Sequence, residues 1–182
     1  MGLVLSMALF VGCSENNDSK SNPLKEKIIQ NQKTGSVDKN SLFDPNKTCD
    51  LFRLNGYSFY PWKGFGEWWS CTSQLQYNYI DGSINVISFY AESPHGGGKI
   101  DSIKIQADIF DISFKSKVKK EFVNKIKKFF KKSGIKIPDS LINHINIEVN
   151  YNTSADSVNI NFEVDRSYNE GYGLVITIKP SA

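Results

Sequence analysis

Three runs of strict alternation constrain this chain most. Ile103, Ile105, Ala107 and Ile109 interleave with Ser102, Lys104, Gln106 and Asp108. Val158, Ile160, Phe162 and Val164 interleave with Asn159, Asn161, Glu163 and Asp165, and Leu174, Ile176 and Ile178 repeat the pattern. Successive side chains of an extended chain point to opposite faces, so each run predicts a strand with one buried face. Ile84 to Ala91, β-branched and aromatic, predicts another. The loop Ser93-Pro94-His95-Gly96-Gly97-Gly98 joins it to the run that begins at Ile100, as a hairpin.

Residues 114–133 carry the helical period instead. Val118, Phe122, Ile126, Phe129 and Phe130 recur on one face, and Ser133-Gly134 ends the pattern. Asp44 before Pro45 predicts a helix N-cap and first helical position, with Asn55-Gly56 closing that helix. Ile137-Pro138-Asp139-Ser140 predicts a short helix to about Ile145. Beyond it, Ile145, Ile147, Val149 and Tyr151 alternate with Asn and Glu, which favours a strand. With 40% hydrophobic residues in a chain of 182, one core suffices. The expected class is α+β: an antiparallel sheet of about five strands, with one long basic amphipathic helix and one or two short helices packed on one face, and one disulfide.

The chain has three cysteines, Cys13, Cys49 and Cys71. Residues 1–12 are uncharged and mostly apolar, and the chain turns polar at Ser14. This pattern predicts a signal peptide. Phe10-Val11-Gly12-Cys13 resembles the lipobox of bacterial lipoproteins. The resemblance implies cleavage before Cys13, lipid on its thiol, and a membrane partner through that anchor. No Lys or Arg precedes Lys20, so the true start is expected upstream of Met1. Met1-Gly2-Leu3-Val4-Leu5-Ser6 also fits a myristoylation pattern, but inside an apolar run that a cytosolic protein would have to solvate. Ser14 stands where Asp would resemble an inner-membrane retention signal. The expected location is therefore the outer membrane, facing the periplasm. Residues 13–41 are expected to be the lipidated cysteine and a flexible polar tether, and 42–182 a single domain. Export implies an oxidising compartment, so Cys49 and Cys71 are expected to form a disulfide that staples helix to strand.

Two surfaces are candidate binding sites. From Ser113 to Lys136 there are ten Lys and one acid, a net of +9. The whole chain is +3, so the remainder carries −6. Lys120, Lys127, Lys128, Lys131 and Lys132 are expected to cluster opposite the apolar face. There they suit a solvated face, an anionic membrane or an acidic partner. The second candidate is aromatic: Tyr57, Phe59, Tyr60, Trp62, Phe65, Trp68 and Trp69 place seven rings in 13 residues, inside the expected disulfide loop. Pro61, Gly64 and Gly66 are expected to break regular structure there. The rings suit a glycan or protein interface, or the core beneath the loop.

Other chemistry finds little support. His95-Gly96-Gly97-Gly98-Lys99 lacks the phosphate-loop spacing and reads as a flexible loop. There is no G-x-S-x-G elbow and no H-E-x-x-H, and two His with three Cys suit neither a His-rich metal site nor a four-cysteine zinc site. No catalytic residue, metal or cofactor is expected. Twenty Lys against two Arg, on an exported chain, argue against nucleic acid. The expectation is a lipid-anchored envelope protein with a non-catalytic binding role toward an envelope protein or glycan. An inhibitor or immunity-type lipoprotein against a toxin or envelope hydrolase is the alternative, and a periplasmic hydrolase a further one.

Overall fold

In the computed structural model, the described residues are 39–54, 59–73 and 84–181. The expected signal peptide, Cys13, nearly all of the expected tether, Tyr57 and the expected Asn55-Gly56 helix stop lie outside them. A short 3-10 helix, Lys39–Phe43, leads into α1 (Pro45–Leu54). The Asp44 side chain accepts the Lys47 amide at 3.0 Å, so Asp44 caps α1 and Pro45 opens it, as the sequence predicts. Then follow β1 (Phe59–Phe65), β2 (Trp68–Ser73), β3 (Val86–Ser93), β4 (Ser102–Ile109), α2 (Lys115–Ser133), α3 (Asp139–Ile147), β5 (Tyr151–Ala155), β6 (Val158–Asp165) and β7 (Tyr172–Pro180).

The strands form one antiparallel sheet in the order β1-β2-β3-β4-β7-β6-β5. The chain meanders to β4, crosses through α2 and α3, restarts at the far edge and returns to place β7 beside β4. The class is the expected mixture of helix and antiparallel sheet, but with seven strands rather than about five. The structure departs from the sequence reading at two strands, for separate reasons.

The first is β1. Pro61 and Gly64 do not end regular structure; they lie within β1. As an edge strand β1 tolerates a residue without an amide proton, and its register to β2 shifts between Tyr60 and Lys63, a bulge at Pro61-Trp62. The second is β5. The alternation from Ile145 to Tyr151 is not a strand: α3 continues to Ile147, and Ile147 and Val149 are exposed. Glu148 adopts a left-handed conformation (φ 57°), and its amide donates back to the carbonyls of His144 and Ile145, which ends the helix. The strand begins only at Tyr151. Asp156 and Ser157, both at positive φ, make the two-residue turn into β6.

The core lies between the three helices and one sheet face. Ile103, Ile105, Ala107 and Ile109 of β4, Ile160 and Phe162 of β6, and Leu174, Ile176 and Ile178 of β7 are buried together. They meet Val118, Phe122, Ile126, Phe129 and Phe130 of α2, the full apolar face that the period predicts, joined by Val123. Gly134, at φ 73°, caps α2 in the left-handed conformation. Phe89 of β3 lies 5.4 Å from Phe52 of α1 and 6.2 Å from Phe129 of α2, ring centre to ring centre. The Cys49–Cys71 disulfide joins α1 to β2 across a Cα separation of 6.1 Å, helix to strand as expected.

Candidate functional site

With the helices on one face, the alternate residues of each strand fall on the other. Pairing then aligns them across strands. Tyr60 stands opposite Thr72, Thr72 opposite Tyr90, Tyr90 opposite Lys104, Lys104 opposite Thr177, Thr177 opposite Asn161, and Asn161 opposite Asn152. One residue from every strand thus forms a transverse row, and each is at least partly exposed. Six strand-to-strand steps give the row a length of about 29 Å.

The part of the row from Lys104 to Asn152 floors a concavity of about 730 Å³ over β3, β4, β7, β6 and β5. Glu92, Lys104, Asn159, Asn161, Glu163, Thr177 and Lys179 line it, with Asn152 and Ser154 at the β5 edge. A second hollow of about 430 Å³ continues along the same face and shares Lys104, Glu163 and Thr177. On β3 the face closes at Val86 and Ser88, which are buried.

Local bonds hold these side chains in place. Lys104 Nζ lies 2.6 Å from Glu92 Oε1, and Ser102 Oγ donates to the same oxygen at 2.9 Å. Ser154 Oγ donates to Asn159 Oδ1 at 2.6 Å. Where β6 leads toward β7, Tyr168 Oη donates to Asp108 Oδ1 at 2.8 Å, and Gln106 Nε2 donates to the same oxygen at 2.6 Å. Burial, then the Asp108 hydrogen bond and charge, raise the Tyr168 hydroxyl above the ordinary tyrosine range. It stays a neutral donor, and its ring lies 5.7 Å from Phe110. The face therefore offers amides, hydroxyls and the Lys104–Glu92 ion pair, with Glu163 and Lys179 adding one charge of each sign.

Strand alternation divides the aromatic candidate in two. Tyr60, Phe65 and Trp68 are exposed at one end of the open face. Trp62 and Trp69 are half-buried and have a structural task. Trp62 Nε1 donates to the Gly97 carbonyl at 3.0 Å, the two indoles lie 6.2 Å apart, and the Trp69 ring packs directly on Gly97 and Gly64. The loop expected to be flexible is thus the seat of an indole pair. Glycine is required at Gly97 because a Cβ there would stand 2.7 Å from the Trp69 ring.

The lysine candidate also divides. Lys120, Lys127, Lys128 and Lys131 are exposed on α2, opposite its buried face. Lys132, a neighbour of Lys128, is partly buried and lines a small apolar hollow with Leu42 and Leu51. Burial, and then the neighbouring Lys128 charge, lower its ammonium from the ordinary range.

A further polar cluster has no local signal in the sequence. Glu148 Oε1 accepts from Lys119 Nζ and from Tyr172 Oη, each at 2.9 Å, and Arg166 lies 3.8 Å from Oε2. It ties α2, α3 and β7 together. The two imidazoles stand on separate elements, His95 in the β3–β4 loop and His144 on α3. There His144 Nδ1 lies 2.9 Å from the Ser140 carbonyl oxygen, and its ring stacks on Tyr151 at 4.3 Å. Among the described residues no group of three or more His, Cys, Asp and Glu could hold a metal ion, and no helix is long and apolar enough to cross a membrane. No protein-family model matches the chain, and no curated protein or solved structure is similar enough to place it in a family.

Proposed function

We propose that this is a lipid-anchored envelope protein with a non-catalytic binding role, and that its binding surface is the open sheet face. Cys13 carries the lipid, residues 14–41 are the spacer, and the domain faces the periplasm from the outer membrane. The observation that carries the binding role is the transverse row from Tyr60 to Asn152. A line of amides and hydroxyls with exposed rings at one end suits a linear, uncharged glycan strand. The side chains hydrogen-bond its hydroxyls, and Tyr60, Phe65 and Trp68 offer apolar faces to its sugar rings. The charges that line the concavity balance, Lys104 and Lys179 against Glu92 and Glu163, so the ligand needs no net counter-charge.

Two experiments test this. Cells supplied with labelled palmitate should label the wild-type protein and not Cys13→Ser; label retained by that variant removes the anchor from the proposal. Purified protein should co-sediment with insoluble uncharged polysaccharide, in a manner insensitive to salt. Asn161→Ala and Trp68→Ala should each weaken this capture roughly tenfold with the melting temperature unchanged. Full capture by both variants excludes the open face.

A further inference from the structure

The helix layer has its own polarity. Lys120, Lys127, Lys128 and Lys131 lie on the solvent side of α2. From Lys120 to Lys131 the stripe is about 17 Å long. Elsewhere Lys104 pairs with Glu92, and on α2 itself Lys119 pairs with Glu148 and Lys125 with Glu121. Among the described residues these four lysines have no ion-pair partner. Held along one helix face, they repel each other, and the repulsion is relieved only by an external anionic surface or by salt.

A second observation says where that surface is. The chain enters the domain through the 3-10 helix Lys39–Phe43, with 38 residues before it. Ser41 and Leu42 of that helix line the apolar hollow with Lys132 and Ser133, at the C-terminal end of α2. The point where the chain enters the domain and the lysine stripe therefore both lie on the helix layer, opposite the open sheet face.

We propose that the lysine stripe of α2 lies against an anionic lipid surface, so that the open sheet face points away from the membrane. The choice of a membrane as the anionic surface rests on the tether proposed above, but the contact itself is electrostatic and does not require acylation of Cys13, so the Cys13→Ser chain tests it separately.

The test uses the full chain carrying Cys13→Ser, mixed with phosphatidylcholine vesicles that contain or lack phosphatidylglycerol. The protein should bind the anionic vesicles more tightly, and salt should abolish the difference. Lys120→Gln, Lys127→Gln and Lys131→Gln combined should weaken anionic binding on the order of 100-fold. A control with equal loss of charge, Lys63→Gln, Lys99→Gln and Lys179→Gln, should weaken it less than threefold. Arginine at the same three α2 positions should restore it. Glutamine and lysine have near-equal helix propensity, and unchanged circular dichroism and melting temperature confirm an intact fold. Equal loss in the two triple variants would reduce the effect to net charge and overturn the proposal. So would equal binding to both vesicle types, or salt-sensitive capture of an acidic protein without any vesicle binding.

Discussion

Two single residues carry consequences beyond their size. Gly97 and Gly98 are adjacent in a glycine run, yet only Gly97 touches an indole. A Cβ on Gly97 would stand 2.7 Å from Trp69, whereas a Cβ on Gly98 meets nothing within 4 Å. Gly97→Ala should therefore lower stability by about 1–3 kcal/mol, with Gly98→Ala near neutral, in paired denaturant titrations. Equal effects would show that the indole pair yields freely. Glu148 is the second. Burial acts to raise its carboxyl, but hydrogen bonds from Lys119 and Tyr172, with the charges of Lys119 and Lys115, outweigh burial and hold it below the usual range. A carboxyl lowered on folding contributes stability that is fully present above its unfolded pKa, about 4.3, and is lost as pH falls through the folded value. Glu148→Gln should cost about 1 kcal/mol at neutral pH and nearly nothing at the acid end. Melting curves recorded from neutral pH down to about pH 3 check this: wild type and variant should converge on acidification.

At the scale of elements, the disulfide and the β1–β2 hairpin belong together. The bridge spans 22 positions and fastens α1 to the hairpin strand that touches the rest of the sheet. By loop-closure entropy it is worth about 3 kcal/mol. Cys49→Ala with Cys71→Ala should show that loss in chemical denaturation. Hydrogen exchange should rise first in α1, β1 and β2, while α2, β4, β6 and β7 stay protected. Uniform exchange would mean that the bridge stabilises the domain only globally. The same hairpin shows where sequence is a poor guide. The face of α2 was legible because five apolar residues recur over more than three turns and no strand can reproduce that period. β4, β6 and β7 were legible because their alternation is long and unbroken. β1 was hidden by Pro61 and Gly64, which end a strand inside a sheet but not a bulged one at its edge. Around Ile147 the difficulty is different. A helix end followed by an irregular link places Ile147 and Val149 at the spacing of a strand, and the left-handed turn at Glu148 leaves no mark in hydrophobicity.

For the whole molecule, the transverse row could not have been found from any local pattern. Thr177 stands beside Lys104 only because β7 returns between β4 and β6, a register fixed by pairing across some 70 residues. The polar sets of β4, β6 and β7 were visible in sequence; their alignment was not. The aromatic cluster met the same limit, since adjacent Trp68 and Trp69 serve opposite faces. That division makes a direct prediction. Trp69→Ala should lower the melting temperature by several degrees, because the ring seats on the β3–β4 loop, while Trp68→Ala should leave it within about a degree. The lysine stripe and the open face are likewise separated by the full thickness of the core, and substitutions that share no neighbours add independently. Thr177→Arg places a charged, bulky side chain in the middle of the row. It should abolish capture by insoluble glycan and leave anionic vesicle binding unchanged, whereas the α2 glutamine triple should do the reverse. Combining the two sets should remove both activities with no excess effect. Coupling between them beyond about 0.5 kcal/mol would mean that one surface serves both contacts, and the two-sided arrangement would be wrong.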